Sequence, residues 1–271
     1  MHITMELAIT TRGFGPRCYL LPANGHDARD FDAIRPVLAE RFETIALDWP
    51  AMGASPCPPD PGACSARALA EELERVVLER GGEPAVFIGH SLGGYAAARL
   101  ALRRPERVRA LVLVNSGGFF DAGLLGQVFC GLRGHASVIR HSEGAFARFH
   151  TKGRNAHTAA MFARIQAARS REAYAATVAA IWRSFASKDF DLRPLGAPTC
   201  PTLLVWGERD PVVPLALAGR GAERAIPGAR LVTLATGHTP FAEDPAGFLE
   251  LVLPFLEPFA AAHSGDNAGA A

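Results

Sequence analysis

Long apolar runs are missing. None reaches the ~18 residues needed to cross a bilayer, so the chain carries no membrane-span signal. Lysine is nearly missing too: Lys152 and Lys188 are the only two, and arginine supplies the rest of the positive charge, a bias of composition rather than of function. Strong charge of either sign is absent, since the formal net charge is +1; that balance argues against a nucleic-acid binder. Cysteine is sparse and shows no pairing. Cys18, Cys57, Cys64, Cys130 and Cys200 are odd in number and lack metal-ligand or redox spacing. They read as free thiols in a reducing compartment. Met1–Glu6 has no basic stretch leading into an apolar one, so no secretory signal shows and a cytoplasmic location is expected. No metal or organic cofactor is implied, and the oligomeric state is not legible.

What is present is enough apolar material, 49% of 271 residues, for one large domain or a domain with an insertion. Short apolar runs resemble strands at Cys18–Leu21, Thr44–Leu47, Ala85–Gly89, Ala110–Val114, Thr202–Val205 and Arg230–Leu234. Helical patterns alternate with them at Phe31–Arg41, Ala66–Arg80, Tyr95–Arg103, Leu215–Ile226 and Pro245–Phe255. Such alternation predicts an α/β chain with a doubly wound, mostly parallel sheet, its strands covered on both faces. The alternation stops between about Gly117 and Leu195, where helical segments over Asn155–Arg169 and Ser170–Ser187 occur, with Ser170 as the expected N-cap of the second. That stretch is too long for a loop in a compact domain and reads as an inserted helical lid. The expected division is a core over 1–116, a lid over 117–195, a second core part over 196–259 and a disordered tail over 260–271.

One segment carries chemistry on its face. The run Ala85–Ile88 enters Gly89-His90-Ser91-Leu92-Gly93, and an alanine-rich helical stretch follows. A serine in that setting sits on a sharp strand-to-helix turn, where the helix aims free N–H groups and its positive dipole end at the site of developing negative charge. A serine hydroxyl needs a base, and the base needs a group to fix its tautomer. Among nine histidines, His238 follows the last strand-like run, in a turn-rich loop. Asp210 follows the strand before it. Both belong at the carboxyl edge of the sheet, where open α/β sheets hold ligands. Glu208 is the nearest competitor for the acid and Asp121 a distant one. His90 reads as a packing residue; the lid histidines His135, His141, His150 and His157 are scattered, and most of them read as exposed.

These segments together resemble the α/β-hydrolase superfamily, in the lidded group of esterases, carbon–carbon hydrolases, haloperoxidase-like enzymes and epoxide hydrolases. The resemblance rests on Ile88–Gly94, Leu203–Pro214 and Gly237–Pro245, and on Asp48-Trp49-Pro50-Ala51-Met52-Gly53-Ala54-Ser55, similar to the family's Asp-x-Pro-Gly-x-Gly-x-Ser turn. It implies Ser91 as nucleophile, Asp210 as acid and His238 as base, in the chain order of that architecture. It also implies an oxyanion hole from the Leu92 N–H and a donor after the first central strand. Pro22-Ala23 stand where the family has His-Gly, so Asn24 takes the donor position. Ala51 replaces the family's usual glycine.

The aromatic and apolar residues Trp49, Met52, Phe119, Phe120 and Trp182, with His26 as a wall, are the candidates for an acyl pocket. The expected partner is a small-molecule substrate. Phe119–Asp189 holds ten Arg/Lys against four Asp/Glu. That excess is ordinarily a solvated face, and its sharper reading is an anionic substrate, either a carboxylate-bearing ester or an acyl group on a phosphopantetheine carrier. Serine at the elbow favours attack on a carbonyl over epoxide or carbon–halogen opening. The chemistry expected is therefore hydrolysis of a small ester or thioester. Cleavage of a carbon–carbon bond beside a ketone, and a non-catalytic binding member of the fold, are the alternatives.

Overall fold

The computed structural model describes residues 5–260, so the expected disordered tail lies almost wholly outside the described residues. In chain order its regular elements are β1 (Ile9–Arg12), β2 (Arg17–Leu21), α1 (Arg35–Leu38), β3 (Glu43–Leu47), α2 (Ala66–Arg80), β4 (Ala85–His90), α3 (Leu92–Arg103), β5 (Val108–Val114), α4 (Gly123–Arg133), α5 (Ala136–His150), α6 (Ala156–Ala168), α7 (Glu172–Ser184), β6 (Thr202–Gly207), α8 (Arg220–Ala225), β7 (Arg230–Leu234), α9 (Pro240–Glu243) and α10 (Pro245–Leu256). The strands form one sheet in the order β1-β3-β2-β4-β5-β6-β7. Every pairing is parallel except β1 against β3.

Side-chain alternation divides the core between the two faces of the sheet. In β4, Ala85 and Phe87 join the cluster that also holds Leu69, Leu73, Tyr95 and Leu100 from α2 and α3. Val86 and Ile88 join the opposite one, with Phe31, Phe241, Phe248 and Val252. Strand residues buried on both faces carry no polar alternation, which is why β2 to β6 stand out as apolar runs, and the half-buried edge strand β7 still carries Leu231, Val232 and Leu234. The seventh, β1, reads Ile-Thr-Thr-Arg along a mostly exposed edge and has no apolar run to reveal it.

Four helices, α4 to α7, fill the chain between β5 and β6. Two local expectations need correction. The helix expected over Phe31–Arg41 is a 3-10 turn at Ala28–Phe31 followed by the single α turn of α1. Pro36 cannot occupy a helix interior, because it lacks an N–H and its ring meets the carbonyl four residues back. Ser170 does not cap α7: Arg171 takes that position without a side-chain bond, while the Ser170 hydroxyl donates backward to the Ala167 carbonyl at 3.3 Å. Among the described residues no helix is long and apolar enough to cross a membrane, and the five cysteines are all free.

Candidate active site

Ser91 links β4 directly to α3 in a left-handed conformation, φ 53°, uncommon for a residue with a side chain. Close packing forces the glycines on either side. A Cβ on Gly89 would lie 2.4 Å from the Gly93 carbonyl oxygen, and one on Gly93 would lie 2.2 Å from that of Leu21. The turn is tied to the sheet by the Ser91 N–H, which donates to the Val114 carbonyl at 2.9 Å. Leu92, the first helical residue, has an N–H without an acceptor among the described residues, as helix geometry requires of the first amides.

Asp210 leaves the end of β6 in a turn that binds its own carboxylate. Its Oδ1 accepts the Val212 and Val213 N–H groups at 2.8 and 3.1 Å. Its Oδ2 accepts His238 Nδ1–H at 2.6 Å and the Asn115 side-chain amide at 2.5 Å. Asn115, itself at φ 42°, is fixed in turn by the Gly207 N–H donating to its Oδ1 at 3.1 Å. This orientation places the proton of the imidazole on Nδ1 and leaves Nε2 as its basic nitrogen. Glu208 is taken up by the Thr233 hydroxyl, and Asp121 caps the Gly123 N–H on the surface; neither meets His238. No Ser91–His238 hydrogen bond is present among the described residues. Their link runs through the backbone, where His90 Nε2–H donates to the His238 carbonyl at 2.7 Å.

The segment that departs from the family pattern forms a tight turn, closed by the His26 N–H donating to the Ala23 carbonyl at 3.3 Å. Gly25, at φ 80°, supplies the positive φ that such a turn needs at its third position. The backbone N–H of Asn24 has no acceptor among the described residues. Below the turn, Trp49 Nε1–H donates to the Pro22 carbonyl at 2.7 Å. Ala51 stands at φ 63°, so the residue that replaces the family glycine keeps glycine's conformation.

Four imidazoles pack in a ring. His90 and His150 each touch His238, with centroids 4.7 and 5.2 Å apart, and each touches His26, at 5.9 and 5.8 Å. His150 is therefore a correction to the expectation of exposed lid histidines. It is 3% exposed, and its carbonyl accepts the His238 N–H at 2.8 Å. Burial pushes the pKa values of His90 and His150 well below the ordinary histidine range, with the neighbouring imidazoles adding to it. His26 goes the other way. Burial lowers its pKa, but Asp30, bonded to Nδ1 at 2.5 Å, with Glu143 and Asp27, outweighs it and the net direction is upward.

These directions predict the pH dependence of stability. Below about pH 6.5 the unfolded chain takes up protons at residues 90 and 150 that the folded chain refuses, so each lowers stability by up to about 1.4 kcal/mol per pH unit. His26 opposes this: its contribution is complete below that pH and is lost as pH rises through its raised folded value. His150→Gln removes one acid-side contribution. Its unfolding free energy, followed from pH 7.5 to 5.5, should fall by about 1.4 kcal/mol less in total than that of wild type, most of the difference arising below about pH 6.5. Parallel curves would reject a neutral buried His150.

Ser91 opens into a cavity of about 360 Å³ lined by Phe120, Phe129, Trp182, Phe185, Phe190 and Val213, with Gln127, Ser187, Lys188, Asp121 and Asp191 among its polar members. Of the pocket candidates, Phe120 and Trp182 line it. Phe119 and Trp49 are fully buried outside it, and Met52 and His26 face a separate cavity of about 370 Å³ beside Arg164 and Tyr174. Sequence spacing in α4 and α7 gives no sign of which face meets Ser91.

Two contributors escape the sequence reading. Asn115 follows the apolar run of β5 at the same sheet edge as Ser91 and Asp210, a signal that was there to use. Glu243 is the other. Its carboxylate accepts four backbone N–H groups, from Gly237, Thr239, Lys152 and Gly153, at 2.7–2.9 Å, and nothing in Phe241-Ala242-Glu243 announces it.

The α/β-hydrolase family model matches residues 18–251. A pimeloyl-acyl-carrier-protein methyl ester esterase of Aeromonas hydrophila is 29% identical over 93% of this chain and 100% of its own. The same-named protein of Klebsiella pneumoniae strain 342 is 31% identical over 86% and 91%. The crystal structure of a hydrolase from Pseudomonas aeruginosa PA01 superposes with a TM-score of 0.78 at 27% identity, covering 92% of this chain and 94% of that one.

Proposed function

Because the chain belongs to the α/β-hydrolase family, we propose that it is a serine hydrolase of carboxylic esters or thioesters, with Ser91, His238 and Asp210 as its triad. The observation that carries this reading is the Asp210–His238 bond at 2.6 Å, at the sheet edge where Ser91 is held strained above an apolar cavity. Ser91 Oγ attacks the substrate carbonyl while His238 Nε2 accepts its proton. Asp210 holds the resulting imidazolium. The Leu92 and Asn24 N–H groups receive the oxyanion. His238 then returns its proton to the leaving oxygen or sulfur, and water, activated by the same imidazole, releases the acid.

The cavity walls favour an apolar acyl or aryl group. Among the described residues Lys188 is the one cation that lines it, and it offers a distal carboxylate a partner. The names of the relatives, methyl ester esterases of a pimeloyl group on an acyl carrier protein, agree with an ester substrate presented on a phosphopantetheine arm. A basic pocket, which the carbon–carbon reading asks for, is not matched: Asp121 and Asp191 stand beside Lys188. Free cysteines and the absence of a spanning helix among the described residues fit a cytoplasmic enzyme.

The test is hydrolysis of p-nitrophenyl esters from acetate to long chains by wild type and Ser91→Ala, with fluorophosphonate labelling. Turnover should fall at least about 10³-fold in the variant, with label confined to Ser91 and a chain-length optimum set by the cavity. Equal rates and an unlabelled serine would instead support the binding-protein alternative.

A further inference from the structure

The turn that would receive the oxyanion is held from above by the lid. Tyr174 of α7 donates its hydroxyl to the Gly25 carbonyl at 2.7 Å, across 149 residues of chain. One turn further along α7, the Val178 carbonyl accepts the Asn24 side-chain amide at 3.2 Å. Gly25 leaves no slack. A Cβ there would stand 3.0 Å from Glu143 Oε1 and 3.1 Å from the Tyr174 hydroxyl. Tyr174 is 2% exposed, and burial pushes its pKa well above the ordinary tyrosine range, so the hydroxyl stays a donor. From below, Trp49 holds the other end of the same turn at Pro22.

The family pattern puts His-Gly at the positions of Pro22 and Ala23, and the sequence names Asn24 as the donor without showing what fixes its turn. The structure shows that hold in three dimensions. Resting on the reading of Ser91 and Asn24 given above, we propose that Tyr174 is a positioning residue. By fixing the Gly25 carbonyl it sets the Gly25–His26 peptide, whose N–H donates to the Ala23 carbonyl. That carbonyl shares its peptide plane with the Asn24 N–H, and so the aim of the Asn24 N–H toward the oxyanion is set. The lid then does more than wall the pocket: α7 completes the transition-state site, and a chain without it would bind esters but stabilise their tetrahedral intermediate poorly.

The variant that tests this is Tyr174→Phe, which removes the hydroxyl and keeps the ring. Ser184→Ala is its control. Ser184 also joins α7 to the core, through the Ala66 N–H donating to its Oγ at 2.9 Å, but it touches nothing in the turn. Both variants are assayed for kcat, KM, thermal unfolding and inhibition by a trifluoromethyl ketone, which forms a tetrahedral oxyanion on the serine. Misaligning one donor should lower kcat about 10-fold in Tyr174→Phe with KM within about 2-fold. The inhibition constant should rise by the same factor as kcat/KM falls. Ser184→Ala should leave kcat and the inhibition constant within about 2-fold of wild type. Tyr174→Phe behaving like Ser184→Ala in both readouts would overturn the inference alone. A wild type that neither hydrolyses esters nor labels at Ser91 would overturn the reading of the site, and this inference with it.

Discussion

Asp210→Asn should lower kcat by about 10³- to 10⁴-fold, and the hydrogen bonds around the carboxylate say why. Oδ1 faces the Val212 and Val213 N–H groups, so an asparagine there turns its carbonyl toward them and its NH₂ toward His238. Two donors cannot share that contact. The imidazole must accept at Nδ1 and carry its proton on Nε2, which removes the base that Ser91 needs. Rotating the amide the other way sets the NH₂ against two backbone donors instead. Asn115 cannot relieve either arrangement, since turning its own amide would abandon the Gly207 N–H. The fold should survive, with a stability loss of about 1–3 kcal/mol for the unmatched donors. Fluorophosphonate labelling of Ser91 should slow in parallel with turnover. Wild-type turnover in Asp210→Asn would remove Asp210 from the triad and return Glu208 and Asp121 to consideration.

Legibility in the sequence followed burial. Strands covered on both faces must be apolar, so β2 to β6 read directly; the half-buried edge strand β7 still showed in Leu231, Val232 and Leu234, while the exposed edge strand β1 had nothing to mark it. Steric necessity was legible too: Gly89 and Gly93 could be argued from the elbow alone, and each has a backbone carbonyl where a side chain would be. The segment between β5 and β6 was legible as helical but not as a surface. Phe120 and Phe119 are adjacent in the chain, yet one lines the cavity and the other is core. His150 illustrates the same limit, because only tertiary packing separates a histidine on a helix surface from one inserted against His238. Groups that act through backbone amides were the least visible. Tyr174 and Glu243 meet peptide groups more than 85 residues away in sequence, and peptide groups carry no sequence signal.

Glu243 makes the strongest case for such hidden contributors. One of its oxygens serves Thr239, and the other serves Gly237, Lys152 and Gly153. The same carboxylate thus grips both neighbours of His238 and the junction between α5 and α6. Hydrogen bonds to a carboxylate are about twice as strong as neutral ones, and four backbone donors, two of them buried, depend on this one. Glu243→Gln keeps the shape but offers a single acceptor oxygen. With that oxygen turned to the three-donor side, its NH₂ meets the Thr239 N–H head on. We expect a loss of about 2–4 kcal/mol from one unpaired donor and three weakened bonds. Glu243→Ala, which strips the acceptor from all four, should approach the limit at which the chain no longer folds. Because residues 237 and 239 flank the imidazole, kcat of the glutamine variant should drop about 10²-fold as His238 loses its fixed angle to Ser91. The freed junction should also become a protease target, with trypsin cutting after Lys152 or Arg154 in the variant at a concentration that spares wild type. If Glu243→Gln matched wild type in melting temperature, turnover and trypsin resistance, the clamp would be incidental, and the bonds to Asp210, His150 and His90 would suffice to place His238.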